Sequence, residues 1–138
     1  MEIQHRSQLV DLMRFHNLPL IGAELGVAEG LFSRDLLVAG LDKLYSVDTW
    51  GTLDQKGDGG SPQEWHDKNY ENVIELMKPF VGKSILLRGV TYLIRREVPD
   101  ESLGLVYIDA DHSYIGVQRD IHTWYPKLVK GGIMAFHD

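Results

Sequence analysis

The chain has 138 residues, 43% apolar and 25% charged, which suits one ordinary globular domain with a single core. Fourteen Lys and Arg against 20 Asp and Glu leave a formal net charge of −6, which disfavours nucleic acid or an anionic membrane as the main partner. The absence of cysteine excludes a disulfide scaffold or thiolate zinc site, no apolar run nears the roughly 20 residues that span a bilayer, and the charged N-terminus lacks a signal-peptide core, so a cytoplasmic location is expected.

In chain order, residues 4–17 carry Leu9, Leu12 and Met13 at helical spacing and predict a leading amphipathic helix. Residues 18–27 are a short apolar run ending in glycine, which predicts a buried strand and a turn. A helix over 29–38 follows, with Gly40 as its stop. A second strand at 44–47 ends on Asp48. Residues 49–60 have the composition of a mobile loop, for which a lid and a loop without a role are equally good readings. Ser61, Pro62 and Glu64 spell a helix start, with Ser61 as N-cap, Pro62 as first helical residue and Glu64 closing a capping box; that helix runs to about Lys78. The remaining elements are a strand at 83–87, a short helix at 91–97, a strand at 103–108, a helix at 114–128, a break at Gly131–Gly132 and a strand at 133–136. His5, His16, His66 and His122 are expected at the surface or at helix ends, and Trp124 and Tyr125 against the sheet.

Strict alternation of apolar strands with helices predicts a single α/β domain, a Rossmann-like doubly wound parallel sheet of five strands, with 1–17 as a leading helix. Ligands of such sheets bind at the carboxyl ends of the strands. The conspicuous polar residues fall there: Glu24 and Gly26, then Asp48, then Asp109 to His112, then His137 and Asp138.

Glu24-Leu25-Gly26-Val27-Ala28-Glu29-Gly30 sets two glycines and an acid at a strand-to-helix turn. Glycine lets backbone approach a ligand closely, but the spacing is not the Gly-x-Gly-x-x-Gly that cradles a pyrophosphate. A carboxylate here repels a pyrophosphate and attracts an ammonium or sulfonium; a plain tight turn with a capping acid is the competing reading. Asp48, 22 residues after Gly26, stands where an acid accepts hydrogen bonds from a ribose diol. The combination points to an adenosine-like ligand with a positive centre and no pyrophosphate.

The segments AELGVAEG, YSVDTW, VYIDADHSY and KGGIMAFHD resemble the successive motifs of class I S-adenosylmethionine-dependent methyltransferases, closest to the metal-dependent O-methyltransferases of the catechol, caffeoyl-CoA and macrocin type. The resemblance covers about residues 18–138. It implies that Gly26 and Gly30 border the methionine part of the cofactor with Glu24 nearby, that Asp48 holds the ribose, and that Arg88, Gly89 and Val90 border the adenine. The expected cofactor contacts are Glu24, Gly26, Val27, Gly30, Asp48, Thr49, Trp50, Gly89, Val90 and Asp109. Trp50 walls the pocket in this reading and is an ordinary packed indole in the alternative. Relatives often carry a small hydroxyl residue two positions after the second glycine, against the cofactor carboxylate; here Phe32 stands there and the hydroxyl comes at Ser33.

At the acceptor end, carboxylates with a histidine on adjacent strand ends suit Mg²⁺ or another divalent metal, while Asp109 and Asp111 acting as helix caps is the plainer alternative. A metal lowers the pKa of a bound hydroxyl and orients it for attack. The resemblance places metal ligands at Asp109, His137 and Asp138 and a general base at His112, with His137 where relatives more often carry a carboxylate. The implied reaction is methylation of a hydroxyl on a small-molecule acceptor. Relatives continue past the fifth strand with a helix and an antiparallel strand pair, which 138 residues do not include; either the domain is truncated or another chain completes the pocket, and the open strand edge leads to the expectation of a homodimer. A nicotinamide-dependent oxidoreductase and a non-catalytic cofactor-binding module are the rival functions.

Overall fold

Five apolar segments, too short for core helices, form the strands β1 (Ile21–Leu25), β2 (Lys43–Asp48), β3 (Ser84–Arg88), β4 (Leu103–Ile108) and β5 (Leu128–Phe136). The computed structural model describes residues 2–51, 62–110 and 112–137. All strand pairs are parallel, in the order β3-β2-β1-β4-β5. The chain thus builds outward from β1 in one direction, then returns to pair β4 on its other side, and the switch point lies between β1 and β4.

Side chains alternate across a strand, so each strand feeds two cores. On one face, Leu44, Leu105 and Tyr107 pack against α1 (Leu9–Phe15), α2 (Leu31–Ala39) and α3 (Gln63–Met77) through Met13, Leu36 and Val73. On the other, Ala23, Leu25, Val47 and Val106 pack against Ile94 of α4 (Thr91–Ile94) and Trp124 of α5 (Tyr114–Trp124). Leu25, Leu36 and Leu105 are completely buried, each contributing roughly 1.5–3 kcal/mol of apolar transfer. Helices on both faces make the sheet doubly wound, as the alternation implies. No helix among the described residues is long and apolar enough to cross a membrane.

Several boundaries differ from the sequence reading, each for a local reason. The leading helix is shorter than 4–17: a 3₁₀ turn at Arg6–Gln8 precedes α1, closed by Gln8 Oε1 accepting from the amides of Gln4 and His5. Pro62 is the N-cap of α3 rather than its first helical residue, with φ −68° and ψ 155°; Ser61 lies outside the described residues, as do 52–60 of the expected mobile loop. Helix α5 stops at Trp124, where Pro126 tightens the chain into a 3₁₀ turn over Tyr125–Lys127. Its N-cap is Ser113, whose hydroxyl accepts from the Gly116 amide at 3.0 Å; Asp111, one of the expected caps, lies outside the described residues. Trp124 is buried as expected, but Tyr125 is 68% exposed, because the turn swings it off the sheet. The Gly131–Gly132 pair does not break the chain. The register jumps from Leu103↔Leu128 to Leu105↔Ile133, so β5 carries a bulge through these glycines, Gly131 at φ +83°.

Candidate active site at the carboxyl end of the sheet

The turn after β1 is set by close approach. Gly26 has φ +91°, and a Cβ on it would lie 2.2 Å from the Asp109 carbonyl oxygen, because β1 and β4 exit side by side. The next residues are tied to β2 by one carboxylate. Asp48 Oδ2 accepts from the amides of Val27 and Ala28 at 2.8 and 2.9 Å, and Oδ1 accepts from the amide of Trp50 at 2.9 Å. The Trp50 indole in turn donates to the Ala28 carbonyl at 2.9 Å. Ala28 and Trp50 both adopt positive φ, at +52° and +43°. Such strain costs about 1–3 kcal/mol per residue, whereas hydrogen bonds to a charged group contribute about 1.5–3 kcal/mol each; three of them outweigh two strained residues. Trp50 is also packed, 1% exposed, with its ring 4.7 Å from that of Tyr70.

Glu24 is the buried acid of the site, 3% exposed, between Ser46 of β2 and Tyr107 of β4 in the sheet register. The Ser33 hydroxyl donates to Glu24 Oε1 and lies 2.9 Å from the Ser46 hydroxyl. Burial pushes the Glu24 carboxyl up to about 8; the Ser33 bond and the charge of Arg6 oppose the rise, and Asp109 and Asp48 add to it. Near neutral pH this favours the neutral acid, and a cation placed against it would favour the carboxylate. The hydroxyl of Ser33 is fully buried and turned inward, so it does not take the cleft-facing place that Phe32 occupies.

Beyond β4, Asp109 Oδ1 lies 3.5 Å from His112 Nε2 and 3.4 Å from His137 Nδ1. Two imidazole nitrogens within ion-pair distance of one carboxylate oxygen are a softer set than the six oxygens that Mg²⁺ prefers. Among the described residues no group of three His, Asp or Glu side chains is arranged to hold a metal ion; Asp138, the third expected ligand, lies outside them.

These elements surround a cleft of about 950 Å³, large enough for a nucleotide-sized ligand. Glu24, Gly26, Val27, Gly30, Asp48, Thr49, Trp50, Val90, Asp109 and His112 line it; Gly89 and His137 do not. Gly89 serves the sheet instead: its amide donates to the Asp48 carbonyl at 2.8 Å, and Ile94 packs against its α-carbon. Arg88 is also drawn away, bonding the carbonyls of Thr49 and Trp50 and the Asp67 carboxylate and stacking on Tyr70, which pins the loop after β2 to α3. Arg6, Trp65, Asn69 and Arg119, on which the sequence reading is silent, also line the cleft, as does His66, expected at the surface or a helix end. His66 is 8% exposed on the inner face of α3, not at the surface. Helical phase relative to Val73 and Met77, also buried on α3, was its available signal.

The residues at the strand ends thus converge on one cleft, and a family model described as a methyltransferase domain matches residues 22–138. The chain belongs to the methyltransferase-domain family. It is 27% identical over 131 residues to protein y4gI of Sinorhizobium fredii, covering 94% of this chain and 14% of that protein. Its fold is similar to that of a Corynebacterium glutamicum protein (TM-score 0.68, 14% identity, 99% of this chain and 58% of that one). It is also similar to an S-adenosylmethionine-dependent methyltransferase of Mesorhizobium loti (TM-score 0.60, 18% identity, 94% and 52%) and to the TDP-rhamnose 3′-O-methyltransferase of calicheamicin biosynthesis (TM-score 0.54, 21% identity, 97% and 65%). The chain spans about half to two thirds of those structures and a small part of y4gI.

Proposed function

We propose that this methyltransferase domain binds S-adenosylmethionine in the cleft and serves transfer of its methyl group to a hydroxyl of a small molecule. The observation that carries the reading is the buried carboxyl of Glu24 beside a glycine turn organised by Asp48 at the switch point. A pyrophosphate would face the Asp48 and Asp109 carboxylates together, which disfavours a nicotinamide dinucleotide; a sulfonium and an ammonium meet them favourably and favour the ionised form of Glu24.

The cofactor, when bound, supplies an electrophilic methyl group on sulfur. The chain supplies the rest. Gly26 lets the turn pack against the Asp109 backbone and Gly30 lets it pack against Val73 of α3, and both residues line the cleft. Asp48 has three of about four acceptor positions filled by amides, leaving one on Oδ1 for a ribose hydroxyl. His112 accepts the proton of the attacking hydroxyl, and Asp109 orients its ring and stabilises the imidazolium. The hydroxyl target is supported by this pair and by similarity to a sugar O-methyltransferase. The divalent ion implied by the sequence resemblance enters no step, because the described donors do not make a hard-cation cage.

Calorimetry with S-adenosylhomocysteine and with NAD, followed by methyl-transfer assays on phenols and nucleotide sugars with and without chelator, tests the reading. Binding of the homocysteine compound alone supports it; binding of NAD alone overturns it. His112→Gln should lower kcat by about 10²- to 10⁴-fold with little change in cofactor affinity. Loss of turnover on chelation, restored by Mg²⁺, would move the proton chemistry from His112 to a metal.

A further inference from the structure

Arg6 sits in the 3₁₀ turn before α1, remote in sequence from every strand-end motif, yet its guanidinium lines the cleft. It stacks 4.1 Å above the ring centroid of Phe32, lies 5.8 Å from that of Tyr107, and Nη1 donates to the Tyr107 hydroxyl at 3.4 Å. Phe32 is the second residue of α2, and Tyr107 is the cross-strand neighbour of Glu24. The stack therefore fixes a permanent positive charge beside the buried acid. Glu29, Asp48 and Asp109 place carboxylates in the cleft around the buried acid of Glu24. The arginines lining the cleft are Arg6 and Arg119; Arg119 stacks on Tyr92 of α4, whereas Arg6 is the one whose charge acts on Glu24. A ligand with an amino-acid end brings a carboxylate as well as an ammonium, and that carboxylate needs a cation among these acids. The Ser33 hydroxyl, committed to Glu24 and Ser46, does not reach it.

We propose that Arg6 is the binding residue for the α-carboxylate at the amino-acid end of the ligand, with Glu24 facing the ammonium; this rests on the cofactor reading above. A planar guanidinium offers five N–H donors in a fork that matches a carboxylate, and stacking on Phe32 holds the fork in one plane. The leading turn of the chain is then part of the binding site, and the apolar ring at position 32 is a platform rather than a lost contact.

The test is calorimetry with S-adenosylhomocysteine and with 5′-methylthioadenosine, which keeps the adenosine and sulfur but has no amino-acid end. Arg6→Ala should weaken the first by about 10- to 100-fold, the loss of charge-assisted hydrogen bonds, and the second by less than about twofold. Arg6→Lys should recover part of the loss, as a point charge without the fork. Retained methylthioadenosine binding shows that the variant cleft is folded. Equal weakening of both ligands makes Arg6 a scaffold residue and overturns the proposal, as does an unchanged affinity for S-adenosylhomocysteine. Failure of the unaltered protein to bind either ligand overturns the cofactor reading itself.

Discussion

Glu24→Gln probes the electrostatics of the cleft through the fold. The carboxyl is 3% exposed, and burial, opposed by Ser33 and Arg6, raises it from 4.5 to about 8. Between these values the native protein holds a proton that the unfolded chain has released. The stability this contributes is complete below about pH 4.5, falls as pH rises, and is gone above about pH 8. Between pH 5.5 and 8 the decline amounts to about 3 kcal/mol at about 1.4 kcal/mol per unit. Gln keeps the shape and hydrogen-bonding capacity of the neutral acid and has nothing to ionise, so the variant should lack this slope. Urea unfolding at pH 5.5, 7 and 8.5 provides the comparison, with m values as the check on two-state behaviour. Wild type should lose about 3 kcal/mol relative to Glu24→Gln across the series. Parallel pH curves would mean that the native acid is already ionised and would refute the account of Glu24.

Asp48→Ala orphans the amides of Val27, Ala28 and Trp50 and should cost about 3–5 kcal/mol in denaturant unfolding, with Asp48→Asn losing less; a cost below 1 kcal/mol would show that the strained turns stand without the carboxylate. Gly26→Ala combines φ +91° with a Cβ 2.2 Å from the Asp109 oxygen, and should lower stability by more than about 4 kcal/mol in thermal unfolding. Strand β5 forms one edge of the sheet, with Ile133, Met134 and Ala135 half-buried and Phe136 48% exposed, and is expected to pair with a second copy; light scattering showing a monomer at micromolar concentration would refute that.

The parts of the site legible in the sequence are those fixed by strand ends. Asp48 and Asp109 close apolar runs and Glu24 lies one residue before the end of β1, and a parallel sheet brings such ends to one rim whatever the side chains between them do. The parts not legible depend on tertiary contact. Arg6 meets Phe32 and Tyr107 across 26 and 101 positions of sequence, and no periodicity marks it. Arg88 ends β3 as Asp48 ends β2, so position alone puts it at the rim; the Asp67 carboxylate and the Tyr70 ring on α3 pull it away. The Gly131–Gly132 pair reads as a break by composition, but cross-strand pairing with β4 resumes at Ile133 and carries the strand through as a bulge.

Arg6 and Glu24 together make ligand charge and protein protonation one problem. Before binding, Glu24 with its carboxyl raised to about 8 is mostly protonated at pH 7. A ligand cation against that carboxyl favours the ionised form, and a ligand carboxylate occupying Arg6 removes part of the charge that pulls the pKa down, so the two ends act in opposite directions. The cation is the nearer partner in the proposed arrangement, since Glu24 faces it directly while Arg6 acts from beyond Tyr107. Binding should therefore release a proton, approaching one per site. Calorimetry of S-adenosylmethionine at pH 7 in phosphate and in Tris, which differ in ionisation enthalpy, reads that number as the dependence of the observed heat on the buffer. Glu24→Gln should reduce it to near zero, and Arg6→Ala, which starts from a more fully protonated acid, should not. A buffer-independent heat in the unaltered protein would mean that no charge is created at Glu24, and that the positive end of the ligand lies elsewhere in the cleft.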